Sequence, residues 1–358
     1  MSLSHPWEIF AKVVPPADRA RLMDILRQRS QEKRRLMFCM LPSSYMRIPH
    51  LYAFLLLSMF GDLIKEHGCV PLDLIEIVML DDVYKGMHTI NDQESVRIKE
   101  KISDYLVALG IERNKVIVRR EIEWLKEEDE REKAMRDQLH KLLKKFAIQD
   151  VLRTWNDLGL REEEIKSMKI GTFLLPLHLV STFMVSSPQP DCALIGALDR
   201  PFLDELRRMF SLRMVTLCMP AIENVKGRVI AMGSPPSSGE DPYIIVGDTK
   251  SVIEGKLVES FKNSSPLSSS EDRIHLSIAC IRILSMLPKR VKEEVEEQTE
   301  TGVSLSEPLE IGSRTFKNYH ELEMALRRGD IALRPFANWM ADRLDALFRY
   351  LTYKTSYS

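Results

Sequence analysis

Leu36-Met-Phe-Cys-Met-Leu41 is an apolar run that stops at Pro42-Ser43-Ser44, and Leu74-Ile-Glu-Ile-Val-Met-Leu80 is a second that stops at Asp81-Asp82. Short, nearly continuous apolar runs bounded by turn residues fit strands buried on both faces. Between them, helical spacing runs from about Leu51 to Lys65 and ends at Gly68. After the second run, Asp92 to Leu109 is amphipathic through Val96, Ile98, Ile102, Tyr105 and Leu106, and Lys115-Val-Ile-Val-Arg119 supplies a third strand. Strand–helix–strand alternation of this kind predicts an α/β chain with a Rossmann-like, doubly wound parallel sheet. Ligands of such sheets bind beyond the carboxyl ends of the strands.

Working outward, Ala17 to Gln31 has helical spacing, with Leu22, Ile25 and Leu26 on one side. Residues 120–170 change character. Charge dominates Glu121 to Lys145, which predicts an exposed or interface helix within a helical insertion. Short strands resume at Asp191–Gly196 and Met214–Pro220, around a helix at Pro201–Phe210. Gly233–Asp241 and the serine-rich Asn263–Ser270 read as loops. From Arg273 the spacing is helical over Ile274–Leu287, Glu321–Leu326 and Pro335–Tyr353, with an acidic, turn-rich separator at Glu293–Ser306. This divides the chain into a domain over 1–262 and a helical domain over 263–358.

The 358 residues carry a net charge of −1, with 44% hydrophobic and 29% charged residues. That balance gives no global attraction to nucleic acid, so an RNA contact needs a local patch. Residues 261–358 hold 14 Lys/Arg against 14 Asp/Glu, so no basic footprint marks the helical part. No run approaches the roughly 20 apolar residues of a membrane span, and the N-terminus lacks the pattern of a secretory signal. Five cysteines without Cys-x-x-Cys spacing predict reduced core thiols, a cytoplasmic chain and no metal site.

Four landmarks, in order, make the chain resemble a class I tyrosyl-tRNA synthetase of the eukaryotic and archaeal type. Ile48-Pro49-His50-Leu51-Tyr52-Ala53 stands where that family has Pro-x-His-x-Gly-His at a helix start. The resemblance assigns His50 to the first histidine, Tyr52 to the glycine that lets ATP approach, and Ala53 to the second histidine. Asp81 fits the aspartate that ends the family's second strand. Leu175-Pro176-Leu177-His178-Leu179-Val180-Ser181-Thr182 is similar to Tyr-Pro-x-x-Gln-x-x-Asp, with leucine at the Tyr and Gln positions and Thr182 at the Asp. In Asp191–Arg200, Gly196 and Arg200 match the tyrosine-pocket pattern, while Leu194 and Leu198 replace its Gln and Asp. Finally, Arg228–Leu257 resembles the signature-loop region: Met232 and the helix entry Gly247-Asp248-Thr249-Lys250 match, and Ala231 replaces the first lysine of Lys-Met-Ser-Lys-Ser.

The replacements share one direction. Activating tyrosine needs a carboxylate for the ammonium group and donors for a phosphate whose charge grows in the transition state. Leucine offers neither. The resemblance therefore implies a degenerate copy, similar to the second half of double-length tyrosyl-tRNA synthetases, acting as a partner subunit or tRNA- or RNA-associated scaffold. It implies no cofactor, a homodimer or a heterodimer with a synthetase-like chain through residues 120–160, and no role at DNA or a membrane. His50, Asp81, Gly196 and Met232 are the expected remnants of a nucleotide site. An active tyrosine–tRNA ligase using ATP is the alternative, and an unrelated nucleotide-binding protein on the same fold a third.

At the C-terminal end, Phe316–Gly329 resembles the segment before the family's anticodon-reading helix start, Leu-His-Pro-x-Asp-Leu-Lys. Leu333-Arg334-Pro335-Phe336-Ala337 places Arg334 at the His; counting from Gly329 places Ala332 there instead, and both registers lose the acidic residue. Arg334 and Pro335 are the tRNA-contact candidates. Simpler readings stand beside these: His50 as a helix cap, His178 as a packed core residue, Met232 as loop packing and Arg334 as surface charge.

Overall fold

The computed structural model describes residues 8–9, 12–27, 35–66, 74–81, 91–128, 130–145, 149, 170–186, 189–197, 200, 214–229, 241–298 and 302–356. Five parallel strands form the central sheet: β1 (Arg35–Met40), β2 (Leu74–Met79), β3 (Val116–Arg120), β4 (Cys192–Gly196) and β5 (Val215–Met219). Their order is β3-β2-β1-β4-β5, so the winding reverses between β1 and β4. This is the doubly wound arrangement expected from the alternation. β1 is central, and its side chains from Leu36 to Met40 are all buried, which explains why its sequence shows no polar alternation.

One core residue breaks the apolar run. Glu76 on β2 is 1% exposed. It is neutralised by Arg35 at the start of β1 and by Arg119 on β3, whose Nε lies 3.2 Å from Oε1. Neighbouring parallel strands thus supply two guanidinium groups to one buried carboxylate, the pairing that a buried charge requires.

Helix α1 (Pro16–Arg27) precedes the sheet and packs on β5. Helix α2 (Ile48–Glu66) follows β1, and α3 (Asp92–Ala108) lies between β2 and β3. The charged stretch after β3 is not one solvated helix. It forms α4 (Glu121–Lys126) and α5 (Arg131–Lys145), and each keeps a buried side: Trp124 on α4, Met135 and Leu142 on α5. Except for the exposed Leu143, their apolar residues lie on the inner or partly buried sides, and α5 lies against α6 (Ile170–Val185). The helix expected at 201–210 and the loop before Asp241 lie outside the described residues.

Beyond β5, a short parallel pair joins β6 (Ala221–Ile222) to β7 (Arg273–Ile274), with α7 (Lys250–Asn263) between them. Then come α8 (Leu276–Met286), α9 (Lys289–Gln298), the hairpin β8–β9 (Leu309–Ile311, Arg314–Phe316), α10 (Tyr319–Arg327) and α11 (Leu333–Ser356). The acidic separator expected at Glu293–Ser306 is instead helical through Gln298. Val291 and Val295, one turn apart, are buried and hold α9 down while its glutamates stay on other faces. Helix α8 packs on α2, α11 packs on α3 and α7, and one apolar core runs from Leu36 to Leu351. Tyr350 on α11 donates to the carbonyl of Ala108 at the end of α3, at 3.2 Å. Among the described residues, no helix is long and apolar enough to cross a membrane.

Candidate functional site

The carboxyl edge of the sheet gathers three of the expected residues. His50 sits in the first turn of α2 after β1, Asp81 follows β2, and Gly196 ends β4 across the reversal point from β1. Arg334 and Pro335 stand exposed at the first turn of α11, in the helical part. Met232 and Leu198 lie outside the described residues, as does the side chain of Leu175.

His50 is 1% exposed. Its Nδ1 accepts the backbone N–H of Arg47 at 3.2 Å, three residues upstream and just outside the helix. This is the backward half of a capping box, normally made by Glu or Gln at the third helical position. Nδ1 is therefore the acceptor and the neutral ring carries its proton on Nε2, which is buried without a partner. Burial, assisted by the positive charge of Arg47, lowers the imidazole pKa from 6.5 to about 3. The ring is uncharged at neutral pH.

Arg47 is itself 1% exposed and donates from Nε to Asp241 Oδ2 at 2.8 Å, close to the ring of Tyr243. Main-chain bonds run beside this pair, from Ile48 N–H to the carbonyl of Ile244 (3.1 Å) and from Val246 N–H to that of Met46 (2.7 Å). The start of α2 is thereby stitched to the segment leading into α7. Asp248 accepts from Ile245 N–H and from Lys256, which also donates to the carbonyl of Tyr243. Gly247 turns the chain at φ +110°, a conformation open to glycine and costly for other residues.

Asp81 is fully buried. Arg120, at the end of β3, donates from Nε to Asp81 Oδ2 at 2.7 Å and from Nη2 to Asp92 Oδ1 at 2.7 Å. Asp81 Oδ1 is buried without a partner. Gly196 is half-buried and aligned with Met219, whose carbonyl accepts the N–H of Ala197 at 2.8 Å. Next to Arg120, the buried Glu121 meets His178 of α6, with Oε1 2.5 Å from Nε2. His178 is therefore an ion-pair or hydrogen-bond partner rather than only a packed ring.

The described residues of the expected tyrosine pocket are apolar or self-satisfied. Leu179 and Leu194 are 8% and 1% exposed. Thr182, also buried, donates to the carbonyl of His178 on its own helix at 3.1 Å. Tyr52 is 0% exposed, and its phenol stands against Arg282 of α8. Arg282 in turn forms a two-toothed pair with Glu323 of α10, at 3.0 and 2.8 Å, and reaches Glu271 at 3.0 Å. Tyr52 is thus built into a buried cluster joining α2, α8 and α10. Residue spacing gives no sign of this cluster or of the Arg47–Asp241 pair, whose partners lie 41 and 194 positions apart.

A cavity of 1110 Å³ opens elsewhere, between the start of α7 and the C-terminal half of α11, lined by Gly247, Lys250, Glu254, Phe348, Arg349 and Tyr353 among others. Lys250 pairs with Asp342 across it at 2.6 Å. It shares no residue with the His50–Asp81 edge.

This sheet order, helix placement and C-terminal helical layer match solved structures of tyrosyl- and tryptophanyl-tRNA synthetases. Tyrosyl-tRNA synthetase from Archaeoglobus fulgidus, complexed with L-tyrosine, matches with a TM-score of 0.65 at 14% identity, over 98% of this chain and 99% of that one. This is the class I synthetase fold. Leishmania major tyrosyl-tRNA synthetase with tyrosinol matches at a TM-score of 0.60 and 14% identity, over 100% of this chain and 50% of that one. Tryptophanyl-tRNA synthetase from Giardia lamblia matches at 0.60 and 12% identity, over 100% and 87%. No family profile and no curated protein matches the sequence. The synthetase fold sets the frame in which His50, Asp81 and Gly196 meet at one edge.

Proposed function

We propose that this chain is a non-catalytic relative of tyrosyl-tRNA synthetase, acting as a partner subunit or RNA-associated scaffold. The observation that carries this reading is the state of its two polar landmarks. His50 is buried and spent on capping α2, and Asp81 is buried and paired with Arg120. A synthetase site needs such groups directed at substrate, with charge-assisted bonds to an ammonium and a phosphate. Leu179 and Leu194 offer no such bonds, and Thr182 spends its hydroxyl on α6. On this reading His50, Asp81, Gly196 and Met232 are relics of the frame. RNA contact would fall on the exposed Arg334 and Pro335, and pairing with a synthetase-like chain on residues 120–160. In that stretch the outer face of α5 exposes Leu143 beside Lys141 and Lys144.

An active tyrosine–tRNA ligase is the second reading. It is favoured by the unpartnered atoms left on His50 and Asp81 at the same sheet edge. Tyrosine-dependent ATP–pyrophosphate exchange separates the two: the first reading predicts none. Under the second, ATP with tyrosine must also raise the melting temperature.

A further inference from the structure

A second group of unspent donors lies in the helical part, remote from the sheet edge. Arg343 on α11 sits over the indole of Trp339 one turn earlier, with its guanidinium carbon 3.9 Å from the ring centroid. Among the described residues, its hydrogen-bond partner is the carbonyl of Trp339, which accepts from Nη1 at 3.2 Å. Nε of Arg343 and Nε1 of Trp339 are both buried with no acceptor, and Trp339 is 6% exposed. Guanidinium groups in protein interiors ordinarily meet a carboxylate. This one does not.

The neighbouring acids are committed elsewhere. Glu296 accepts from Ser304, Leu305 and Ser306, Glu307 accepts the N–H of Tyr319, and Asp342 pairs with Lys250. Lys292 of α9 has Nζ 5.0 Å from the ring centroid of the buried Tyr319 and donates to the carbonyl of Ser285 at 3.5 Å. Burial lowers the Arg343 pKa from 12.5 to about 10, against the nearby charges of Asp342 and Glu296, which favour the cation. Burial likewise pushes the Lys292 ammonium down.

We propose that Arg343 and Trp339 form a binding site for a phosphate-type oxyanion. The anion would accept from the free guanidinium edge and the indole N–H. Such an acceptor satisfies two buried donors and a charge together, and a guanidinium fork matches its geometry. A free phosphate and a phosphodiester of RNA share this chemistry.

The test is titration of the full chain with inorganic phosphate, followed by tryptophan fluorescence and by melting temperature. The wild type should show saturable binding. Arg343→Gln should weaken it about tenfold or more, the loss expected when a charged donor is removed. Trp339→Phe keeps the ring and removes only the N–H, so it should weaken binding less, and this variant keeps the test open should Arg343→Gln not fold. Arg349→Gln, at an exposed arginine of the same helix paired with Asp345, should leave binding unchanged. Competition by a single-stranded RNA oligonucleotide would assign the site to a nucleic-acid backbone, and its absence to a small anion. No saturable binding by the wild type, or equal binding by Arg343→Gln and Trp339→Phe, overturns the proposal.

Discussion

At the scale of single residues, the chain uses its charged and polar groups to hold itself together. His50 shows this most clearly. The unfolded chain titrates this ring near 6.5 and the folded chain near 3, so between those values the unfolded state binds the extra proton. Its contribution is intact above pH 6.5 and is lost as pH falls, by about 1.4 kcal/mol per pH unit. His50→Gln preserves an acceptor for the Arg47 N–H and removes the titration. Urea denaturation from pH 7 to pH 4.5 should give a shallower loss of stability for this variant than for the wild type. A shared slope would show that His50 does not titrate as described. His275, also lowered by burial, supplies part of the remaining slope.

The Arg47–Asp241 pair sets a second residue-scale expectation. Both side chains are nearly inaccessible, at 1% and 4%, so removing one strands the other charge. Arg47→Met should cost about 3–5 kcal/mol in chemical denaturation. Sequence reading located His50 but could not choose between cap and ligand, because the choice depends on where Nδ1 points. It had no access to Asp241 as the partner of Arg47, since nothing local links positions so far apart.

At the scale of elements, strands were legible because a parallel sheet buried on both faces leaves continuous apolar runs. β1, β2 and β3 fall where Leu36–Leu41, Leu74–Leu80 and Lys115–Arg119 place them. The highly charged α9 was not: it has so few apolar residues that overall polarity outweighed the i, i+4 placement of Val291 and Val295. The hairpin β8–β9, with three residues per strand, is too short to show a period.

Leu194 on β4 belongs to this scale because its neighbours on both sides are strands. It aligns with Phe38 of β1 and Leu217 of β5. If the pocket is packed rather than vacated, returning the family's polar residue should damage the fold without restoring chemistry. Leu194→Gln should lower stability by about 1–3 kcal/mol through an amide buried without partners, read by urea denaturation. A variant as stable as the wild type would show that polar space persists there.

At the scale of the whole molecule, the helical layer after α7 is bound to the sheet layer through its interior. Tyr52, Arg282, Glu323 and Glu271 form a charged cluster where α2, α8 and α10 meet, and the apolar core continues around it. Arg282→Leu leaves two glutamates without their main cation and should cost about 3–5 kcal/mol. Because the core is continuous, unfolding should remain one transition by fluorescence and by circular dichroism. Separate transitions for the two probes would mean that the layers are energetically independent. The overall fold was the most legible property of this sequence, since alternation and landmark order both act over long stretches. Which groups face a substrate was the least legible, because that depends on rotamers and distant partners.

The central question is whether the sheet edge holding His50, Asp81 and Gly196 activates an amino acid. ATP–pyrophosphate exchange with tyrosine, using the purified full chain beside an active tyrosyl-tRNA synthetase, measures this directly. No exchange above the enzyme-free blank is expected; tyrosine-dependent exchange that is abolished by Asp81→Ala would contradict the reading of this chain as non-catalytic.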